Sequence, residues 1–135
     1  MTPRLRSHDR GFTLIEMVVV ISLILVLLAI ALPMYQRAIQ RSKEARLHWD
    51  VTTLNKAVQS YSLDKKKAPQ SLDDLVQAGY IKFIPEDITG RTDSWVTEPE
   101  DPQKAWDPNE PGIGWVHSGS NQISTDGGAY SSWVK

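Results

Sequence analysis

The chain contains no cysteine. That removes disulfides, thiolate metal sites and every cysteine nucleophile, so any folded domain here relies on packing or on another staple. Charge of one sign is missing too: 15 Lys and Arg face 16 Asp and Glu, a net charge of −1. Such a balance leaves no basic face for nucleic acid. The densest basic run, Lys65-Lys66-Lys67, reads as the solvated end of a helix. Histidine is scarce, with His8, His48 and His117 standing apart from any His-Glu-x-x-His pattern, and no glycine-rich phosphate loop follows a strand. His117-Ser118 places a base beside a hydroxyl, but neighbours in sequence are not a triad, whose members are set by geometry. The reading is of a protein that is not an enzyme.

What the chain does have is a long apolar run. From Phe12 to Leu32 only Thr13, Glu16 and Ser22 are polar. As a helix rising 1.5 Å per residue this run reaches roughly 31 Å, the thickness of a bilayer's hydrocarbon core. A secretory signal would have a shorter apolar core of about 7–15 residues and a small-residue cut behind it. Here Ala29-Ile30-Ala31 leads instead into Leu32-Pro33-Met34-Tyr35 and a continuing helical pattern. Glu16 conflicts with its surroundings: a carboxylate at the membrane centre costs about 2.5–3.5 kcal/mol or more, and somewhat less near the edge. A plain anchor has no use for that charge. A subunit that assembles inside the membrane does.

Before the run stand Arg4, Arg6 and Arg10 against Asp9, a positive leader that holds its side in the cytoplasm and sends the rest outward. Gly11-Phe12-Thr13-Leu14-Ile15-Glu16 resembles the cleavage and methylation signal of type IV prepilins and type II secretion pseudopilins, with glycine before the cut, phenylalanine after it and glutamate fifth in the mature chain. The resemblance implies a prepilin peptidase that cuts after Gly11 and methylates the new amine of Phe12. It also implies a homo-oligomeric helical filament in which Glu16 neutralises that amine on the adjacent subunit, served by an inner-membrane assembly platform, minor pseudopilins and a separate cytoplasmic ATPase. Three regions follow: a cleaved leader over 1–11, a membrane and assembly helix over 12–33, and a periplasmic domain over 34–135.

Beyond the membrane the helical period continues. Leu47, Val51, Leu54, Val58 and Tyr61 form one apolar stripe, while Lys43, Glu44, Arg46, Asp50, Lys56 and Gln59 suit a wet or subunit-facing side. The spacing predicts one helix from about Phe12 to about Leu63, kinked near Pro33 where a backbone donor is lost. It should fail at Asp64 to Pro69. A short second helix should start at Ser71 as N-cap and stop at Gly79, followed by an extended Tyr80–Pro85. The phrase from Tyr61 through Ala68-Pro69 to Ile84-Pro85 is similar to the region after the long helix in protein G-type major pseudopilins. Ser94–Thr97 and Gly112–His117 alternate as half-buried strands do, and Asn121–Gly128 has the turn chemistry of a hairpin. Trp49, Trp95, Trp106, Trp115 and Trp133 all fall here and should supply core area. The fold class expected is α+β and pilin-like, a long helix packed against a small antiparallel sheet.

Protein G-type pseudopilins hold calcium in a loop near the C-terminus. The matching region, Val116–Tyr130, carries one acid, Asp126, with Ser118, Asn121 and Ser124 as neutral oxygens. Calcium takes six to eight oxygens, ordinarily with more than one carboxylate. The expectation is no metal and no cofactor. The acidic loop from Glu98 to Glu110 is broken by prolines and reads as solvated. The leading function is a structural subunit of a type II secretion pseudopilus in the inner membrane, single-pass, with its leader cytoplasmic and its C-terminal domain periplasmic. The alternatives are a type IV pilin serving adhesion, motility or DNA uptake, or a membrane-anchored periplasmic binding module.

Overall fold

The computed structural model describes residues 11–133. The leader arginines, Asp9 and His8 lie outside the described residues. Two compact units divide after Ala38, and each is treated by itself.

The first unit is helical. Helix α1 runs Leu14–Lys65, and its first part, up to Ala38, belongs here. Its apolar side chains are exposed, Leu14 at 83% and Leu27 at 67%. A helix that is apolar all round and bare needs lipid or protein around it. Among the described residues this is the one helix long and apolar enough to cross a membrane. Ser22 donates its hydroxyl to Val18 O at 2.7 Å, so its polar group is satisfied within the helix. Pro33 lies inside the helix rather than at its end.

In the second unit the outer part of α1 carries the core. Leu47, Val51, Leu54, Val58 and Tyr61 are all buried, as the stripe predicts, together with Leu75, Trp95, Ile113, Val116 and Tyr130. Lys66 takes a left-handed φ of 56° and ends the helix. Helix α2 spans Leu72–Gln77, with a capping box: Ser71 Oγ accepts from Asp74 N while Asp74 Oδ2 accepts from Ser71 N at 3.0 Å. It closes on Gly79 (φ 80°), whose N–H bonds Val76 O at 3.1 Å while Tyr80 N–H bonds Leu75 O at 2.9 Å, the paired bonds of a Schellman cap. The segment after it forms no strand.

Strands β1 (Trp95–Pro99) and β2 (Ile113–Ser118) pair antiparallel, with Thr97 opposite Val116 and an irregularity between Glu98 and Pro99. The other edge of β2 is taken by a side chain of α1. Asn55 accepts from Val116 N and donates to Val116 O, each at 2.8 Å, so helix and sheet are hydrogen-bonded through one buried amide. At the start of β2, Gly112 lies where a Cβ would come within 2.6 Å of Pro69 O.

Three expectations change. The C-terminal hairpin reduces to a single bridge, Ile123 with Ala129, around a turn closed by Ser124 N to Gly128 O at 2.8 Å; Asn121–Gly128 has too few apolar residues to bury an extended strand. The tryptophans divide: Trp95 is in the core and Trp133 packs against it, but Trp49 and Trp106 are 67% and 46% exposed. Glu44 and Asp50, expected on the wet or subunit-facing side, are 5% and 4% exposed. Glu44 lies one turn before Leu47 and extends the buried stripe.

Candidate functional site

Gly11 and Phe12 precede the helix, exposed, with Phe12 at 75%. Thr13 caps the first turn, its Oγ1 accepting from Glu16 N at 3.2 Å. Glu16 is thus third in the helix, where the unpaired N–H groups and the macrodipole favour a negative charge. The bond from Glu16 N to Thr13 Oγ1 marks the helix start. Glu16 makes no ion pair among the described residues. Its neighbours on the helix are exposed and apolar, so a carboxylate is presented at the base of a bare hydrophobic rod.

A second constellation closes the C-terminal region. The Glu44 carboxylate accepts from Thr125 N at 2.8 Å, from the Thr125 hydroxyl, and from Tyr130 OH at 2.8 Å. Gln40 Nε2 donates in turn to Tyr130 OH at 2.7 Å. Burial works to raise the Glu44 pKa, but the donors on Thr125 and Tyr130 outweigh it and hold the carboxyl below its ordinary value. Burial and the adjacent carboxylate push the Tyr130 hydroxyl up. Thr125 and Tyr130 flank the turn in which Asp126 lies exposed, its N–H on Ser124 Oγ at 3.2 Å. Composition alone does not reveal this network, because its two halves are more than eighty residues apart; the signal available was Glu44 falling in phase with the apolar stripe.

Asp87 organises the sheet end. Its Oδ2 accepts from Ser118 Oγ at 2.8 Å and Ser94 Oγ at 3.0 Å, and its Oδ1 from Ile88 N at 2.7 Å. Ser118 is fully buried and turns its hydroxyl to Asp87, while His117 reaches Glu98 at 3.5 Å. His117 and Ser118 are therefore not brought together as base and nucleophile. Asp50 differs from Glu44 in lacking donors: Oδ2 is buried without a hydrogen bond, 3.5 Å from the exposed Arg46. Burial raises its pKa against the pull of Arg46.

A rod-like apolar helix with a carboxylate in its first turn, continuing into an α+β unit, is the architecture of type IV pilins. The family profile described as the prokaryotic N-terminal methylation motif matches residues 6–32. The chain is 33% identical over 75 residues to competence protein ComGC of Halalkalibacterium halodurans, covering 56% of this chain and 74% of that one. It is 32% identical over 103 residues to type II secretion system core protein G of Escherichia coli, covering 64% of this chain and 71% of that protein. With a type IV major fimbrial protein of Dichelobacter nodosus it shares 39% identity over 66 residues, 49% of this chain but only 41% of the fimbrial protein's length. No solved structure matches the chain. The chain belongs to the pilin and pseudopilin family.

Proposed function

We propose that the protein is a structural subunit of a filament assembled from the inner membrane, of the type II secretion pseudopilus kind. The observation that carries this reading is Glu16, a carboxylate in the first turn of a lipid-length apolar helix, directly after Gly11-Phe12. On this reading a peptidase removes the leader after Gly11 and methylates Phe12, and the residues from 34 on face the periplasm. Glu16 of one subunit meets the Phe12 ammonium of the next in the filament's apolar core. Pairing offsets much of the desolvation cost of both charges, and an unpaired charge rejects the wrong register. The likeness to core protein G, which extends past the membrane helix, supports the secretion branch. The fimbrial relatives favour a type IV pilin as the second reading. The C-terminal turn needs no metal on this account, since Glu44 ties it to α1 and Asp126 is its lone acid.

Glu16→Gln is the test. Membrane insertion should survive, because a neutral amide is less costly in lipid, whereas assembly should be lost, since each buried unpaired ammonium costs several kcal/mol. Intact mass of the native protein should begin at Phe12 with one added methyl. Filaments formed as readily by Glu16→Gln as by the wild type would end the pairing idea. Deleting the gene separates the branches: exported enzymes retained in the periplasm point to secretion, and lost surface fibres with normal export point to a pilin.

A further inference from the structure

Between the outer part of α1, Trp115 of β2 and the C-terminal Trp133 lies a groove of about 1030 Å³. That volume is at the upper end for ligand clefts and has room for several residues of chain. Its cations are Arg41 and Lys56, both exposed and in no ion pair among the described residues. The acids beside them are few: Glu44 is committed to Thr125 and Tyr130, which leaves Asp126. Trp115, Trp133 and the exposed His48 add aromatic surface to a wall whose other side chains are mostly neutral and polar.

On another part of the same unit the end of β1 and the loop after it, from Glu98 to Pro111, have the opposite character. Glu98 pairs with His117, but Glu100, Asp101, Asp107 and Glu110 form no ion pair among the described residues, and the loop's one lysine is Lys104. Pro99, Pro102, Pro108 and Pro111 stiffen it, and two turns, Asp101 O to Lys104 N at 2.8 Å and Asp107 O to Glu110 N at 3.2 Å, shape it. Its Trp106 is held from behind by Lys66, 4.6 Å from the ring. None of these residues lines the groove of their own copy.

We infer that the acidic, proline-rich loop of one copy docks into the aromatic, basic groove of the next. A loop stiffened by prolines and turns loses little freedom on docking. Opposite charges on the two surfaces set register and suppress wrong pairings. Groove and loop are different patches, so a head-to-tail contact between them leaves one of each free at the ends to take up further copies, as a filament requires. The inference rests on the filament reading and names the contact between periplasmic units within it.

The test reverses charges in the full chain at exposed positions. Arg41→Glu with Lys56→Glu should cut filament yield about tenfold, and Asp101→Lys, Asp107→Lys and Glu110→Lys together should do the same. All five in one chain restore complementarity and should bring assembly back near wild type. In wild-type filaments built from mixed light and nitrogen-15 subunits, a carbodiimide should join Lys56 Nζ to a loop carboxylate as an amide, with water lost to the reagent, in mixed-isotope pairs. Reversals that leave assembly intact, single losses without rescue, or links confined to one copy overturn this contact. If wild-type filaments form and still require Glu16, the filament reading then stands without it. A wild-type chain that forms no filament in its native host removes both.

Discussion

Two buried carboxylates on α1, Glu44 and Asp50, meet opposite fates. Glu44 has three donors and Asp50 Oδ2 has none. A hydrogen bond to a charged group contributes about 1.5–3 kcal/mol, whereas a buried acceptor left bare costs the desolvation of its charge. Glu44→Gln keeps the volume but turns an amide N–H toward a donor, so stability should fall by about 1.5–3 kcal/mol at neutral pH, measured by urea unfolding. The acid limb follows from the sign of the shift. Because the folded Glu44 pKa lies below its ordinary 4.5, its contribution is complete above that value and is lost as pH drops through the folded pKa. The glutamine variant should lose that part of the acid dependence. Asp50 acts in the other sense: its folded pKa lies above the ordinary 3.8, so protonation favours the fold as pH falls toward that value. Asp50→Asn should accordingly be neutral or stabilising at pH 7, and a marked loss of stability there would show that the charge is paired.

At the scale of elements, α1 does two jobs with one continuous helix. Its first part keeps its apolar side chains exposed, and its outer part presents a stripe on which β2, α2 and the C-terminal turn close. Leu54 sits at the middle of that stripe and is fully buried. Leu54→Ala should cost about 2–5 kcal/mol, read from the denaturation midpoint at unchanged slope. A negligible change would mean that the stripe's partner surface is not in its own unit. The stripe, both helix ends, the Ser71 N-cap and the two strands were legible because each is local: periodicity, a capping residue and alternation are written within a few residues. The Asn55 amide on the edge of β2 was not, because the polar group it satisfies lies 61 positions away.

For the whole molecule, the residues from Ile39 on hold the buried core, the sheet and both carboxylate networks. A fragment beginning at Ile39 should therefore fold by itself as a soluble monomer. Cooperative unfolding and a monomeric mass in ultracentrifugation check it. A fragment that aggregates or lacks a transition would show that this core needs the membrane segment or other copies. The same division explains why assembly and stability should separate on mutation: Glu16 lies in the exposed apolar unit and Glu44 in the packed one, so changing the first should spare folding.

The sequence by itself determined the membrane-length helix, its single carboxylate, the N-terminal motif and the α+β class, because each rests on composition or spacing along a short stretch of chain. It also determined that no disulfide closes the C-terminal region. How that region is closed was decided only in three dimensions. Glu44, polar and apparently surface-facing by type, becomes the staple because the fold brings Thr125 and Tyr130 to it from the far end of the chain. The tryptophans were divided between core and surface in the same way. Burial of a polar or amphipathic side chain depends on which partners arrive at it, and those arrivals are a property of the packed structure.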